Sequence, residues 1–255
     1  MPKFQSGEWV LITGGSSGIG EEFAYQLACK GLNLIIVGRN QERLNNIYKN
    51  IKHISKDIKL EIISFDLSSD IDLFLDTIKH YEIDHLINNA GFGWYGEFIE
   101  GDLNVYNRMI SVNIITLTSL AHHFSKKLAL KKKGGIINVA SVAGFFPIPH
   151  FTVYAATKAY VYNFSMALWA EMKKYNVHVM CLAPGKTKTR FFERANMKNQ
   201  NQLMMNVNKV VNNAIKAYEK NNPLCIPGVT NKLSYSIIRR IATDKFISKI
   251  LIKHF

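Results

Sequence analysis

Short apolar runs recur along the chain, separated by longer stretches in which apolar residues return every three or four positions. The runs are WVLIT at 9–13, LNLIIVG at 32–38, LEIISF at 60–65, IDHLINNAG at 83–91, GGIINVAS at 134–141, VHVMCLAPG at 177–185 and LCIPG at 224–228. A strand that is apolar on successive positions is buried on both faces, as in a parallel sheet covered by helices on either side. Between the first two runs, EEFAYQLACKG at 21–31 places Phe23, Leu27 and Ala28 at helical spacing and stops at Gly31. The alternation predicts an α/β fold, a doubly wound parallel sheet of about seven strands with helices on both faces. Ligands of such sheets bind beyond the carboxyl ends of the strands, so the residues after each run are the candidates for chemistry. No internal repeat, low-complexity tract or linker breaks the pattern, and 255 residues with 47% hydrophobic content suit one domain over 1–255 with a substantial core.

The first such position is TGGSSGIG, Thr13 to Gly20. A glycine turn between a strand and a helix, followed by a second strand, is the unit a dinucleotide site requires. Gly14 permits the tight turn, Gly18 lets the backbone approach a pyrophosphate, and Gly20 allows helix to pack on strand. Ser16, Ser17 and Ile19 complete the turn, and the helix N-terminus offers N–H groups to phosphates. After the second strand stand Gly38, Arg39 and Asn40. An acid there would accept bonds from the adenine ribose and repel a 2′-phosphate, whereas Arg39 can fork onto that phosphate, which points to NADP(H) over NAD(H). A solvated loop arginine is the plainer reading. Asp66, followed by Leu67, ends the third strand, where its carboxylate can reach the adenine amino group or cap the next helix.

A second group of positions concerns proton transfer. YAATK at 154–158 sets Tyr154 and Lys158 four residues apart, on one helix face. Thirteen residues earlier Ser141 closes a strand, and Asn113 lies in the otherwise apolar MISVNIITLTSL, where a buried amide needs partners. Each alone has an ordinary structural reading; together, behind a nucleotide-binding turn, they point to catalysis.

With these motifs the chain resembles the short-chain dehydrogenase/reductase family in its single-domain form. The resemblance rests on TGGSSGIG, NNAG at 88–91, Asn113, Ser141, YAATK, and Pro184-Gly185 followed by Thr189. It implies a Rossmann fold, a small carbonyl or alcohol substrate, a homodimer or homotetramer, and a catalytic set of Asn113, Ser141, Tyr154 and Lys158. Tyr154 would be the general acid/base, its phenolate favoured by the Lys158 ammonium and by an oxidised nicotinamide. Ser141 would orient the carbonyl oxygen, Lys158 would hold the nicotinamide ribose, and Asn113 would place a relay water. Asn88, Ala90 and Gly91 would stand beside the adenine ribose, although a tight strand-ending turn explains them equally. Pro184, Gly185, Thr187 and Thr189 would face the nicotinamide end, with Thr187 where the family usually has an aliphatic residue.

Composition narrows the remaining choices. The net charge of +13 comes from Lys and Arg spread along the chain without any nucleic-acid-reading motif, so it suits phosphorylated ligands or an anionic surface and no nucleic acid is expected. Cys29, Cys181 and Cys225 are odd in number and far apart, which argues against a disulfide framework or a metal site. No signal peptide or membrane span is apparent, and a cytoplasmic protein is expected, with peripheral membrane contact left as an open alternative. FGWYGEF at 92–98, VAGFFPIPHF at 142–151 and the stretch 190–206, with Phe191, Phe192, Met204 and Met205, can cover a lipophilic ligand or simply pack the loops. Residues 186–222 are expected as a substrate-side lid, and a lone His150 reads as a surface residue. The segment 232–255 has Leu233, Ile237, Ile241, Ile247 and Leu251 on one stripe among Lys232, Arg239, Arg240, Lys245, Lys249 and Lys253. Such a basic amphipathic segment can lie on a membrane or dock on the protein's own core or a second subunit. The approach to this tail looks like the branch of the family related to hydroxysteroid dehydrogenases and long-chain 3-ketoacyl reductases. The function expected is therefore an NADPH-dependent reductase or dehydrogenase of a lipophilic ketone, with a non-catalytic NADP-binding regulator or scaffold as the alternative.

Overall fold

The apolar runs fold as parallel strands of one sheet. In the computed structural model the described residues are 3–197, 204–233 and 243–252, apart from the Lys249 side chain. The strands are β1 Trp9–Thr13, β2 Asn33–Gly38, β3 Leu60–Ser64, β4 Ile83–Asn88, β5 Gly135–Val139, β6 His178–Leu182 and β7 Leu224–Cys225. Their spatial order is β3-β2-β1-β4-β5-β6-β7, every neighbouring pair parallel. The chain reverses its winding between β1 and β4, the place where a doubly wound sheet opens a crevice.

Both faces of each central strand are apolar because each meets its own layer of helices. Val10, Ile12, Leu34 and Ile36 pack with Phe23 and Leu27 of α1 (Gly18–Cys29), Leu44 and Ile47 of α2 (Gln41–Ile54) and Val211, Ala214 and Ile215 of the helix Val207–Glu219. The alternate residues Leu11, Ile35 and Val37 pack with Phe74 of α3 (Ile71–Thr77) and with Leu120, Phe124 and Leu128 of the helix Leu117–Lys131. Side chains that alternate along a strand and are apolar on both sides require this two-layer cover.

Two regions differ from the simple pattern. The apolar stretch around Asn113 is not one regular helix: α4 (Leu103–Ile110) passes through a π-helical turn, Ser111–Thr116, into α5 (Leu117–Lys131). The extra residue per turn rotates Asn113 and Thr116 inward, where both are buried. The expected lid also divides. Helix α6 (Thr152–Met172) and β6 lead to residues 186–197, which stand at the cleft with α7 (Phe191–Arg194), but α8 (Val207–Glu219) is a core helix whose Val210, Val211 and Ala214 are fully buried. Its amphipathic spacing binds it to α1 and the sheet.

In the tail, α9 (Asp244–Leu251) is capped by Thr243; Ile247 is buried while Phe246 and Ile250 are exposed. Of the expected stripe, Ile237, Ile241, Arg239, Arg240 and Lys253 lie outside the described residues. Among the described residues no helix is long and apolar enough to cross a membrane. All three cysteines are free thiols.

The opposite end of the sheet is tied by a buried polar chain. His85 of β4 bonds the Glu8 carboxylate through Nε2 and the Tyr218 hydroxyl of α8 through Nδ1, each at 2.9 Å. Lys133 reaches Glu8 Oε1 at 2.7 Å. Burial alone would raise the Glu8 carboxyl, but His85, Lys133 and the Gln5 N–H hold it down to about 2. A carboxyl held below its ordinary 4.5 contributes stability above that value, and the contribution is lost as pH falls through it toward 2. Glu8→Gln is therefore expected to melt below the parent protein at neutral pH, the gap closing as pH is lowered from 4.5 toward 2. A gap independent of pH across that interval would contradict the assignment.

Candidate active site

Residues that follow the carboxyl ends of β1 to β6 converge on one cleft of about 300 Å³. Gly14, Ser16, Ser17, Gly18 and Ile19 form one wall. Gly14 has φ +63°, and a Cβ there would lie 2.9 Å from Ala90 Cα and from Asn89 Nδ2. At Gly20, behind the wall, a Cβ would fall 2.5 Å from Asn89 Nδ2 and from the Gly14 carbonyl. The turn is therefore pressed onto the end of β4, and only glycine fits. Polar bonds fix the same junction. Thr13 Oγ1 accepts the Asn89 and Ala90 N–H groups, each at 2.9 Å, and Asn89 Nδ2 donates to the Thr13 and Gly14 carbonyls. Ser17, at the N-cap of α1, makes no side-chain cap, so the positive end of the helix faces the cleft.

At one end the cleft is lined by Gly38, Arg39, Phe65, Asp66 and Leu67. Arg39 is exposed at the end of β2. Asn40 stands off the lining and caps α2, its Oδ1 accepting the Arg43 N–H at 2.8 Å. Asp66 makes a turn on itself, Oδ1 accepting from the Ser68 N–H and hydroxyl, and Arg108 reaches Oδ2 at 3.3 Å. Although burial pushes its carboxyl up, the Ser68 bonds and the Arg39 and Arg108 charges leave it below the usual range. The cap of α3 is Asp70 instead. Asn88 also lies off the lining: alternation along β4 turns its amide to the Leu117 carbonyl at 2.9 Å, and the next residue, Asn89, faces the cleft with Ala90 and Gly91.

Toward the other end stand Ser141, Tyr154 and Lys158. Ser141 ends β5 and accepts the Ala143 N–H, starting a tight turn, Val142–Phe145. Gly144 in that turn lies against α6, where a Cβ would be 2.5 Å from the Lys158 carbonyl. This close approach brings Ser141 to the Tyr154 hydroxyl, to which it hydrogen-bonds. Lys158 Nζ is buried, donates to the Val139 carbonyl at 2.8 Å and lies 5.9 Å from the centre of the Tyr154 ring. Burial pushes the Tyr154 phenol up to about 12, against the Ser141 bond, and pushes Lys158 down to about 8. The expected phenolate is thus not the state of the protein alone, because burial disfavours both charges.

Asn113 lies behind this group. Its Nδ2 donates to the Phe92 carbonyl and to Thr157 Oγ1, both at 3.0 Å, and its Oδ1 accepts the Phe92 N–H. Both amide protons are thereby used. Over Tyr154 the wall is apolar: Phe92, Ile148, Phe151, Phe191 and Phe192 line it, with Phe191 and Phe151 ring centres 5.1 and 5.5 Å from that of Tyr154. Pro184, Gly185, Thr187 and Thr189 line the floor, Thr189 against Gly18. Met205 does not cover the cleft; its backbone pairs with Lys186 and Lys188. His150 has a left-handed backbone, φ +62°, and its ring rests on Tyr95.

The family model of short-chain dehydrogenases matches residues 8–200. The chain belongs to the short-chain dehydrogenase/reductase family. A very-long-chain 3-oxoacyl-CoA reductase of Mus musculus is 33% identical over 183 residues, which are 70% of this chain and 59% of that relative, so less than two thirds of the relative's length is matched. A short-chain dehydrogenase from Sphingobium yanoikuyae, solved in complex with NADPH, aligns over 92% of this chain and 96% of its own with TM-score 0.83 and 28% identity. The bulky-bulky ketone specific alcohol dehydrogenase from Comamonas testosteroni aligns over 94% and 98% with TM-score 0.79 and 29% identity.

A dinucleotide of the kind this dehydrogenase/reductase family binds fits the residues present. The glycine wall forms a cradle that a Cβ would fill, a helix N-terminus faces it, and Arg39 stands at its far end. Sequence reading missed Thr13 and Asn89 as the clasp of that cradle, since an NN pair shows no sign of which amide turns inward. It also missed Arg190 and Arg194, which line the cleft from α7 and its approach. Asn113→Ala is expected to strand both Phe92 backbone groups and to lower unfolding stability by at least about 2 kcal/mol in urea titration. A loss within about 0.5 kcal/mol, the range of an ordinary surface change, would contradict the bonding described.

Proposed function

We propose that this enzyme is an NADP(H)-dependent oxidoreductase that interconverts a lipophilic ketone and its secondary alcohol. The observation that carries the reading is the half-buried Ser141 beside the buried Tyr154 and Lys158, all opening onto the same cleft as the glycine wall. The dinucleotide, when bound, supplies or takes up the hydride. Ser141 and Tyr154 present hydroxyl groups to the substrate oxygen and fix its direction. In reduction Tyr154 gives that oxygen its proton; a phenol held near 12 keeps the proton through the neutral range, and an alkoxide is basic enough to take it. Lys158, held near 8, is poised to restore the proton and, while charged, lowers the cost of the transient phenolate. Asn113 has no free amide proton for a relay water, so its part is to hold Phe92 and Thr157, and any relay acceptor falls to carbonyls of the π-helical turn.

Arg39 supports the preference for NADP(H): it is exposed at the end of β2 with no acid at Gly38 or Asn40 to repel a 2′-phosphate. The aromatic wall above Tyr154 supports a lipophilic substrate; the reductase relative favours long-chain 3-oxoacyl thioesters and the alcohol dehydrogenase favours bulky ketones. Free thiols suit the reducing cytoplasmic setting expected for this chemistry.

The test is NADPH and NADH oxidation against 3-oxoacyl thioesters of increasing chain length and bulky ketones. We expect turnover that improves with chain length and prefers NADPH by at least about tenfold, the discrimination of one charge-assisted contact, and that loses the preference in Arg39→Asp. Tight NADPH binding with no turnover of any ketone would overturn this reading in favour of a dinucleotide-binding regulator.

A further inference from the structure

Four arginines from separate parts of the chain gather around the rim of the glycine wall. Arg39 follows β2, Arg43 lies in α2, and Arg190 and Arg194 begin and end the α7 region. Arg39, Arg190 and Arg194 line the cleft, and Arg190 also lines an adjoining groove with Arg43 and Lys188, the two spaces sharing Ser16, Ser17, Gly18 and Thr189. Among the described residues none of the four is ion-paired. Of the nearby acids, Glu22 is engaged by Gln26 and Asn208, while Glu21 faces Arg43 and Arg190 and Glu193 faces Arg194 without forming an ion pair with any of them. Burial and the Arg43, Arg39 and Arg190 charges hold the Arg194 guanidinium below its ordinary range. Like charges held together at an open rim favour an anion that neutralises them.

Arg194 is placed differently from the others. Its Nη1 donates to Ser17 Oγ at 3.4 Å, a long bond to a neutral hydroxyl at the N-cap of α1. Ser17 belongs to the wall that would receive the dinucleotide pyrophosphate, so Arg194 reaches across the cleft from the opposite side. Its own short helix carries Phe191, whose ring lies 5.1 Å from Tyr154.

We propose that Arg194 is a cofactor-binding residue that exchanges Ser17 for the dinucleotide pyrophosphate and so ties α7, with Phe191, to the bound cofactor. This inference rests on the dinucleotide reading above and adds a consequence to it. The charge that engages Arg194 arrives with the cofactor, so the segment carrying Phe191 is held more firmly once the dinucleotide is bound. Because the pyrophosphate is common to both dinucleotides, Arg194 serves NADP(H) and NAD(H) alike, whereas Arg39 distinguishes them.

The test compares the full-length protein with Arg194→Gln, Arg194→Lys and Arg39→Gln. Dissociation constants for NADP⁺ and NAD⁺ are measured by titration calorimetry, and amide exchange of residues 186–197 is followed with and without NADP⁺. Arg194 is exposed, so the variants are expected to fold. Arg194→Gln is expected to weaken both dinucleotides by a similar factor, about tenfold for one lost charge-assisted contact, and to abolish the slowing of exchange that NADP⁺ causes in the parent protein. Arg194→Lys is expected to restore part of the affinity, and Arg39→Gln to weaken NADP⁺ alone. Unchanged affinity for both dinucleotides in Arg194→Gln would overturn the proposal, as would a loss confined to NADP⁺, which would place Arg194 on the 2′-phosphate. Failure of the parent protein to bind either dinucleotide would refute the underlying cofactor reading instead.

Discussion

A lysine amine buried at the end of a parallel strand is the constraint around which this site is organised. Lys158 is held by the Val139 carbonyl at 2.8 Å, and its neighbour across the cleft edge is the buried phenol of Tyr154. Removing either charge from water is costly, so in the protein alone Tyr154 keeps its proton and Lys158 holds its own less tightly than a lysine in water. Charge arriving in the cleft changes that balance. The proton on Tyr154 is therefore easiest to move when substrate and cofactor are in place, which is the property an acid/base residue needs.

Geometry at this precision depends on backbone contacts more than on side chains. Gly144 lets the turn after β5 touch α6 at Lys158, and this contact sets Ser141 against Tyr154. Gly14 and Gly20 let the glycine turn touch the end of β4, where Thr13 and Asn89 clasp it. The π-helical turn inserts Asn113 between Phe92 and Thr157, joining the β4 end to α6. Both halves of the cleft are thus referred to β4 and β5, adjacent strands on one side of the point between β1 and β4 where the sheet changes winding.

Much of this was legible in the sequence because it depends on local rules. Apolar runs gave the seven strands to within a few residues, and the glycines at 14, 18 and 20 marked a turn that no other residue can make. Tyr154 and Lys158 declared their shared face by spacing alone. Other features depend on tertiary placement. The side to which Asn88 or Asn89 turns is set by where β4 ends, and the role of α8 is set by its packing on α1. Arg190 and Arg194 belong to no motif in the sequence, and only the fold brings them to Arg39 and Arg43. The direction in which the Tyr154 proton shifts was also hidden, because spacing reports proximity to Lys158 and says nothing of how deeply both are buried.

The most direct measurement of the central claim is single-turnover hydride transfer in Tyr154→Phe, using a ketone that the parent protein reduces and preformed enzyme–NADPH complex. The substitution removes one oxygen and leaves the ring that packs against Phe151 and Phe191. The account predicts unchanged NADPH affinity and a transfer rate lowered by about 10² to 10⁴, the range for loss of a general acid. A rate close to that of the parent protein, with NADPH still bound, would show that the proton comes from elsewhere and would contradict it.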